Sequence, residues 1–403
     1  MTRPVFALLI ALAAIVSGCG GSDNGGSTST LPFDVDRAMK DVEMLAQTIG
    51  PRAAGSEADA AAANYLADQF AAARFGVLRN QFTFETDPNR PATVVLDGAT
   101  IEATTAGGSS AGSVSGPAAP LPESIQRGAL SGKLAVAVRG SMSFQAMYDT
   151  AWASGATGLV IVNSDPGPLT ADLGEAAAFP VVTVPGASLG PLQAAARSGQ
   201  TFSISVRPPQ TAAGTNIIAR SQSAHACTYI AVANFDSQPG SPGANDNAAG
   251  TAVLLELARQ FAAMAKQPEV CFVAMDARFA GGFGARHYLD SLTTAGLPAV
   301  VVSVARIADG DDLTMYGETT LKASATDVAR TINVKLTDGG ATPPATTNTD
   351  VFRAAAIATV DLTRPGGKLG RDDTVSNLKP AVLKESGQFL GELMLKLSAT
   401  AVP

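Results

Sequence analysis

The apolar positions form two dense runs, residues 228–236 and 270–277, and helical patterns accompany them in the same part of the chain. Short aliphatic and β-branched runs of this length, bounded by Gly, Pro and Asp, predict buried strands. The stretch between them, entered through Asp246 and Asn247, carries apolar residues at helical spacing. Because polar loops follow both strands, the pattern predicts an α/β sheet with a site at the edge where its strands end.

Two further patterns precede this region. Residues 33–49 place apolar side chains at helical spacing, and the Gly-Pro pair that follows ends the helix. Ser56 then begins a second helix as its N-cap, with Asp59 three residues later. By contrast, residues 92–207 contain short β-branched runs separated by Gly, Pro and Ser, which predict a separate β-rich unit.

Composition and charge narrow the class of protein. The chain has 403 residues, of which 46% are hydrophobic and 16% charged, as is typical of a globular protein large enough for two domains. The formal net charge is -7 and no Lys/Arg run occurs. We therefore expect no binding of nucleic acid.

The first residues have the pattern of an export signal. Arg3 is followed by an apolar run over residues 5–16, and Ser-Gly stands directly before Cys19. About 12 apolar residues are too few to span a bilayer, which requires about 20. Small residues before a cysteine resemble a bacterial lipoprotein signal over residues 1–18, with lipidation of Cys19 and a flexible tether over residues 19–31. The expected location is the bacterial cell envelope, with the lipid in the membrane.

The run GANDNAAGTAVLLELAR follows a strand that ends Asn-Phe-Asp and precedes FVAMDARFAGGFGARHYL. It resembles the co-catalytic zinc aminopeptidase family of bacterial leucyl aminopeptidase, glutamate carboxypeptidase and the transferrin receptor. In that family the first strand ends His-x-Asp, a loop supplies Asp-Asn, the second strand ends Glu-Glu, a later strand ends Asp, and a loop near the C-terminus supplies a last His. The resemblance implies an α/β/α sandwich around a mixed sheet.

Most of the family's metal-ligand positions hold other residues in this chain. The Asp that orients the first ligand is present as Asp236, and the bridging Asp is present as Asp246. The general base falls on Arg278, whose side chain is always charged. A paired-metal site needs ligands on both sides of a bridging carboxylate, so Asp246 alone cannot hold two cations. The other ligand positions fall on Asn234, Phe279, Ala305 and Leu369.

These departures predict a protein that has lost its zinc site. Local realignment does not restore it, because the chain has two histidines, His225 and His287, and neither lies at a ligand position. We therefore expect no metal cofactor and a non-enzymatic scaffold whose cleft binds a peptide or a protein. The alternative is an active zinc aminopeptidase that releases N-terminal residues of peptides, with zinc bound by ligands placed elsewhere.

The charges at the cleft give a second prediction. Without two divalent ions, Asp246 would be a costly unpaired carboxylate in a partly buried cleft. We predict that Arg278 or Arg306 forms an ion pair with it. The alternative is that Arg278 points to solvent.

The β-rich stretch resembles the protease-associated domain. Residues 139–156 match that domain's signature at its Arg-Gly, Phe and Gly-Ala positions, and Met142 stands where the signature has Cys. The resemblance implies a domain at residues 92–207, inserted into a peptidase-like α/β domain formed by residues 32–91 and 208–403.

One tryptophan, Trp152, lies on the helix predicted within this domain. It stands four residues after Tyr148, a spacing that places the two side chains on neighbouring parts of a helix surface. We therefore expect Trp152 to pack in the interior.

Two cysteines remain besides the lipidation site. Cys227 lies seven residues before Asn234, and Cys271 lies seven residues before Arg278, so the two cysteines stand at about the same height on neighbouring or near-neighbouring strands. Exported proteins form disulfides. Two alternatives stay open, a disulfide or two buried free thiols, and a Cα separation above about 7 Å would exclude the disulfide.

Overall fold

The computed structural model of the protein describes residues 31–174, 176–344 and 347–399. These residues form a mixed sheet with its helices and a closed barrel. The expected signal segment, Cys19 and the tether up to residue 30 lie outside the described residues. The described strands are β1 Gly76–Glu85, β2 Pro91–Leu96, β3 Ala99–Thr105, β4 Gly112–Pro120, β5 Leu134–Val138, β6 Gly158–Val162, β7 Val181–Val184, β8 Thr201–Val206, β9 Thr211–Arg220, β10 Tyr229–Asn234, β11 Cys271–Met275, β12 Val300–Ala305, β13 Leu313–Gly317, β14 Leu336–Asp338 and β15 Ala358–Thr363. The described α-helices are α1 Val35–Glu43, α2 Glu57–Ala72, α3 Phe144–Ala153, α4 Leu189–Ser198, α5 Gly250–Ala262, α6 Phe283–Asp290, α7 Thr319–Thr331, α8 Thr349–Ala354 and α9 Pro380–Ala399. Among the helices described, none has the length and apolar character needed to cross a membrane.

The mixed sheet has the strand order β1-β9-β11-β10-β12-β15-β13-β14. Its centre is parallel, because β10 pairs in parallel with β11 and β12, and β12 pairs in parallel with β15. Strands β10 and β11 are buried along their whole length, which explains why they read as continuous apolar runs rather than as alternating ones. The predicted α/β sandwich with a mixed sheet is confirmed.

Two hydrophobic cores lie on opposite faces of this sheet. On one face, α1, α2, α5, α7 and α9 pack around side chains such as Leu255. On the other face, α6 and α8 contribute Tyr288 and Phe352. Successive strand residues serve the two cores in turn, so Phe272 belongs to the first core and Val273 to the second.

The two helix starts predicted from the sequence have different outcomes. The Ser56 side chain accepts a hydrogen bond from the backbone N–H of Asp59 at 3.1 Å, so Ser56 is the N-cap of α2 as predicted. The helix expected to be entered through Asp246 and Asn247 becomes regular only at Gly250. Asp246 and Asn247 themselves have non-helical dihedral angles, and they form a loop at the edge of the sheet.

The barrel is inserted between β1 and β9. These two strands pair antiparallel over their whole length, from Gly76 opposite Arg220 to Glu85 opposite Thr211. The barrel strands follow the order β2-β3-β7-β6-β5-β4-β8 and lie within residues 91–206. Helix α4 packs on one of its two cores and α3 on the other. The chain therefore enters and leaves the barrel through a single antiparallel ribbon.

The prediction that Trp152 packs in the interior is wrong. Trp152 is 59% exposed, whereas Tyr148 is buried and its ring contacts Phe179. The buried stripe of α3 is centred on Met147 and Ala151, and Trp152 lies beyond the edge of that stripe. A spacing of four residues makes two side chains neighbours on a helix without fixing how wide the buried face is.

Cys227 and Cys271 form a disulfide, with their Cα atoms 5.3 Å apart. Cys271 is the first residue of β11, and Cys227 lies shortly before β10. Of the two alternatives left open by the sequence, the structure therefore contains the disulfide. It joins the two strands at the ends opposite the loops that follow them.

Candidate functional site

A cleft lies at the edge of the mixed sheet where β10, β12 and β15 end, with the loop after β11 beside it. Its cavity has a volume of ≈ 210 Å³. Loops that follow parallel strands meet at one edge of a sheet, which is where α/β proteins place their sites. The side chains that line this cavity include Asn234, Arg278, Ala305, Arg306, Tyr316 and Asp361.

Arg278 and Asp246 form an ion pair beside this cavity. Arg278 Nη1 donates to Asp246 Oδ1 at 2.7 Å and lies 3.4 Å from Asn247 Oδ1. The guanidinium also lies over the Phe279 ring, 4.9 Å from its centroid. Only 17% of the Arg278 side chain and 11% of the Asp246 side chain are exposed, so each charge depends on the other for compensation. The structure thus has the ion pair that the sequence predicts, with Arg278 rather than Arg306 as the partner.

The loop that carries Asp246 is held by Asp373. The Asp373 carboxylate accepts hydrogen bonds from the backbone N–H of Asn245 at 2.6 Å and of Asp246 at 2.9 Å. The side chain of Asn245 in turn accepts from the backbone N–H of Ala308 at 2.9 Å. Burial raises the pKa of Asp373 above its usual range. These bonds fix the loop through its backbone, and the Asp246 side chain is left to pair with Arg278.

Arg52 supports the same loop from its other side. Its guanidinium is fully buried and donates to five backbone carbonyl oxygens at 2.7–2.9 Å. Burial lowers the pKa of Arg52 to about 10, so the side chain remains charged at neutral pH. Sequence reasoning did not single out Arg52, because one Arg after a Gly-Pro turn has the pattern of a surface residue. The accepting carbonyl groups belong to Leu45, Gly50, Phe235, Pro242 and Gly243.

Asp236 follows β10, and the position whose histidine such an acid orients in the family holds Asn234 in this chain. Asn234 hydrogen-bonds through its side-chain oxygen to the Asn348 amide and donates to the Met275 carbonyl at 3.4 Å. Asp236 Oδ2 accepts from the backbone N–H of Phe279 at 3.0 Å, whereas its Oδ1 has no hydrogen-bond partner among the described residues. Complete burial is the main cause that raises the pKa of Asp236 to about 7.

Two further buried acids, Asp59 and Asp276, lie close to the end of β10. Asp59 Oδ2 accepts from the backbone N–H of Gly55 at 2.9 Å, and the Asp276 carboxylate accepts from two backbone N–H groups, one of them Thr215 at 2.8 Å. The two backbone donors favour the charged form of Asp276, so the shared proton belongs to Asp59. Burial, followed by the negative charge of Asp276, raises the pKa of Asp59 to about 8. Sequence reasoning assigned Asp59 only to helix capping.

Two family models match the chain. Residues 216–394 match the model of Peptidase family M28, and residues 92–196 match that of the PA domain. Residues 216–394 belong to peptidase family M28. The resemblance to the zinc aminopeptidases with an inserted protease-associated domain is therefore confirmed.

Two curated relatives of this chain are named as aminopeptidases. Aminopeptidase YwaD of Bacillus subtilis (strain 168) is 29% identical over 306 residues, which cover 71% of this chain and 64% of YwaD. The probable lipoprotein aminopeptidase LpqL of Mycobacterium tuberculosis is 29% identical over 273 residues, which cover 63% of this chain and 54% of LpqL. The chain thus spans less than two thirds of the length of either relative.

Solved structures share the whole M28 fold with its insertion. An aminopeptidase from Aneurinibacillus sp. strain AM-1 aligns with a TM-score of 0.64 at 24% identity, over 90% of this chain and 93% of that one. A zinc aminopeptidase from Bacillus subtilis aligns with a TM-score of 0.58 at 23% identity, over 91% and 95% of the two chains. At these identities the likeness shows a common fold.

The donor groups of this M28 domain do not fit a pair of zinc ions. Asp246 is the one ligand position with a carboxylate, and its Oδ1 is bonded to Arg278. Ala305 presents a methyl group, Phe279 stacks on Arg278, and Leu369 is 49% exposed and outside the lining of the cavity. Among the residues that the structure describes, no three His, Cys, Asp or Glu side chains form a group that could hold a metal ion. The cleft offers guanidinium and amide groups, which bind anions and polar ligands.

Proposed function

We propose that this protein is a non-catalytic member of peptidase family M28 whose cleft binds a peptide or protein ligand. The observation that carries the proposal is the 2.7 Å bond from Arg278 to Asp246, because Arg278 occupies the position of the family's general base. A guanidinium keeps its proton throughout the physiological pH range and cannot accept one from a water molecule. It also neutralises the one carboxylate that remains at a metal-ligand position.

The cleft itself supports a binding function. Arg52 and Asp373 hold the loops around it, so the opening persists although the ligand positions have changed. Its lining combines an apolar wall, which includes Tyr316 and Pro365, with a small number of convergent polar side chains. That combination is typical of sites for small ligands or for one residue of a larger ligand.

The competing function is zinc-dependent release of N-terminal residues from peptides. The names of the curated relatives favour it, since both are called aminopeptidases. It requires at least three suitable ligands around each metal, together with a base. The side chains at the equivalent positions of this chain do not supply that set.

Metal analysis combined with a panel of aminoacyl substrates separates the two functions. We expect the purified full chain to hold zinc at far below one ion per molecule and to release no N-terminal residues above background. Asp246→Asn is the matched control, because trace hydrolysis by contaminants would be unchanged by it. Stoichiometric zinc, with chelator-sensitive hydrolysis that Asp246→Asn abolishes, would establish the competing function instead.

We also propose that a lipid on Cys19 attaches the protein to the bacterial cell envelope. Support comes from the signal pattern in residues 1–18 and from the name of LpqL, a probable lipoprotein. We expect the protein in the membrane fraction and Cys19→Ser in the soluble fraction of the producing cells. If Cys19→Ser stays in the membrane fraction, this attachment is wrong.

A further inference from the structure

The cleft holds two guanidinium groups, and they have different environments. Arg278 is paired with Asp246 and lies at the end of β11. Arg306 follows β12 and lines the same cavity, but its side chain makes neither an ion pair nor a hydrogen bond with any residue that the structure describes. Its Nε is enclosed by protein and has no acceptor among these residues. Arg306 is therefore a partly buried cation without a direct partner in the described part of the chain.

The other charged side chains around the cavity pair with each other. Asp361, which also lines it, accepts hydrogen bonds from Arg353 and from the Thr349 hydroxyl group. Arg353 binds Asp350 as well, at 2.7 Å. Asp350 and Asp361 share Arg353, so these three side chains together carry one negative charge, but none of them forms an ion pair with Arg306. A partly desolvated guanidinium without a direct acceptor is costly, which favours a ligand that supplies acceptor oxygens.

The backbone around the two arginines is also unusual. Arg306 has φ 55° and Ala277, directly before Arg278, has φ 55°. Both values lie in the left-handed region, which is disfavoured for residues with a Cβ. Such conformations concentrate at functional sites, where the surrounding structure holds side chains in a required position. Here they occur just after β11 and β12, the two strands on either side of β10, and both Arg278 and Arg306 line the same cavity.

We propose that Arg306 binds a carboxylate group of a ligand with a small apolar body, and that Arg278 flanks it as a second donor. A guanidinium matches a carboxylate through two parallel N–H···O bonds. A carboxylate brings one negative charge next to Asp361, whereas a phosphate dianion would bring two. The apolar body would pack against Tyr316 and Pro365, in a cavity of ≈ 210 Å³ that has room for about one amino-acid residue.

Two kinds of ligand carry such a carboxylate group, a peptide with a free C-terminus and a small carboxylic acid, and the experiment distinguishes them. The assignment rests on the proposed function, because a working metal pair would replace the arginine environment of the cleft. Titration calorimetry at pH 7 with the full chain provides the test. The probes are N-acetyl-alanyl-leucine, the same peptide as its C-terminal amide, and 4-methylpentanoic acid.

We expect the free-acid peptide to bind at least about tenfold more tightly than its amide, since hydrogen bonds between a guanidinium and a carboxylate are stronger than those to a neutral amide. Arg306→Gln should lose about tenfold in affinity for the acid, and Arg306→Lys should lose less. Arg330→Gln is the matched control, because Arg330 is an exposed arginine on α7 away from the cavity. Arg306 makes no side-chain bond with the residues that the structure describes, so Arg306→Gln should keep the circular dichroism spectrum of the wild type and a melting temperature no lower than that of the wild type.

Each outcome is decisive. Tighter binding of the peptide than of 4-methylpentanoic acid identifies a peptide C-terminus as the source, and the reverse identifies a free acid. Equal affinities for acid and amide, an unchanged affinity in Arg306→Gln, or no binding of any probe would overturn the assignment. Repeating the titration with chelator-treated and zinc-loaded protein separates the two proposals. Binding that depends on zinc overturns the proposed function, whereas absent binding without zinc uptake overturns the carboxylate site alone.

Discussion

Two parts of the cleft differ in how many of their polar groups have hydrogen-bond partners. We call Arg52 and Asp373, which hold the loops beneath the cleft, the support, and the side chains that line its cavity the face. In the support, Arg52 donates to five carbonyl groups and Asp373 accepts from two backbone N–H groups. On the face, Ala305 offers no polar side-chain atom, and Arg306 has no side-chain partner among the described residues. The loops around the cleft are therefore held in shape by hydrogen bonds that do not involve the side chains lining its cavity.

Removing the hydrogen bonds of the support should cause the largest loss in the free energy of unfolding. We expect Arg52→Met to lower the free energy of unfolding by about 4 kcal/mol, because it leaves several buried carbonyl groups without donors. Urea denaturation measures the change. Arg79→Met, at an exposed position on β1, is the matched control and should have little effect. A loss below about 1 kcal/mol for Arg52→Met would contradict the importance given to the support.

Breaking the ion pair between Asp246 and Arg278 should have an intermediate effect on the free energy of unfolding. We expect Asp246→Asn and Arg278→Met each to cost about 2 kcal/mol, because each leaves one largely buried charge unpaired. The double variant should lose less than the sum of the two. The exposed pair Lys335 and Asp312 provides the control cycle and should show no measurable coupling. Additive losses at Asp246 and Arg278 would mean that the pair does not interact.

The protonated acid behind the cleft predicts a dependence on pH. The pKa of Asp59 is about 8 in the folded protein and about 4 in the unfolded chain, so its contribution to stability is present at low pH and is lost as pH rises towards 8. We expect stability to fall by about 2 kcal/mol more between pH 6.5 and pH 8 in the wild type than in Asp59→Asn. Asn reproduces the hydrogen bonds of the protonated acid without titrating. Parallel pH profiles for the two proteins would show that Asp59 is already ionised at pH 6.5.

A substitution at Leu369 should have the smallest effect on the free energy of unfolding. Leu369 is half exposed, so Leu369→His should change the free energy of unfolding by no more than about 0.5 kcal/mol. It should also bring no zinc, because the other ligand positions still lack donors. Unfolding curves with and without zinc test both points. A melting temperature that zinc raises only in Leu369→His would show that the remaining ligands are closer to a working site than the structure indicates.

The sequence predicts the architecture and the main features of the cleft. The strand runs and the N-cap Ser56 are local patterns, and the Asp246–Arg278 pair follows from simple charge balance between those two residues. Arg52, the Asp59–Asp276 pair and the exposure of Trp152 are not predicted. Each of these depends on which distant backbone groups or which width of helix face a side chain meets, and spacing along the chain does not encode that.

The ribbon of β1 and β9 has a consequence for the history of the molecule. The barrel departs from the host sheet at the ends of two strands that already lie side by side, with Glu85 opposite Thr211. A short hairpin turn could join those two residues directly, and the register of every other strand would be unchanged. Acquisition or deletion of the barrel therefore needs one local event in the gene and no rearrangement of the sheet that carries the cleft.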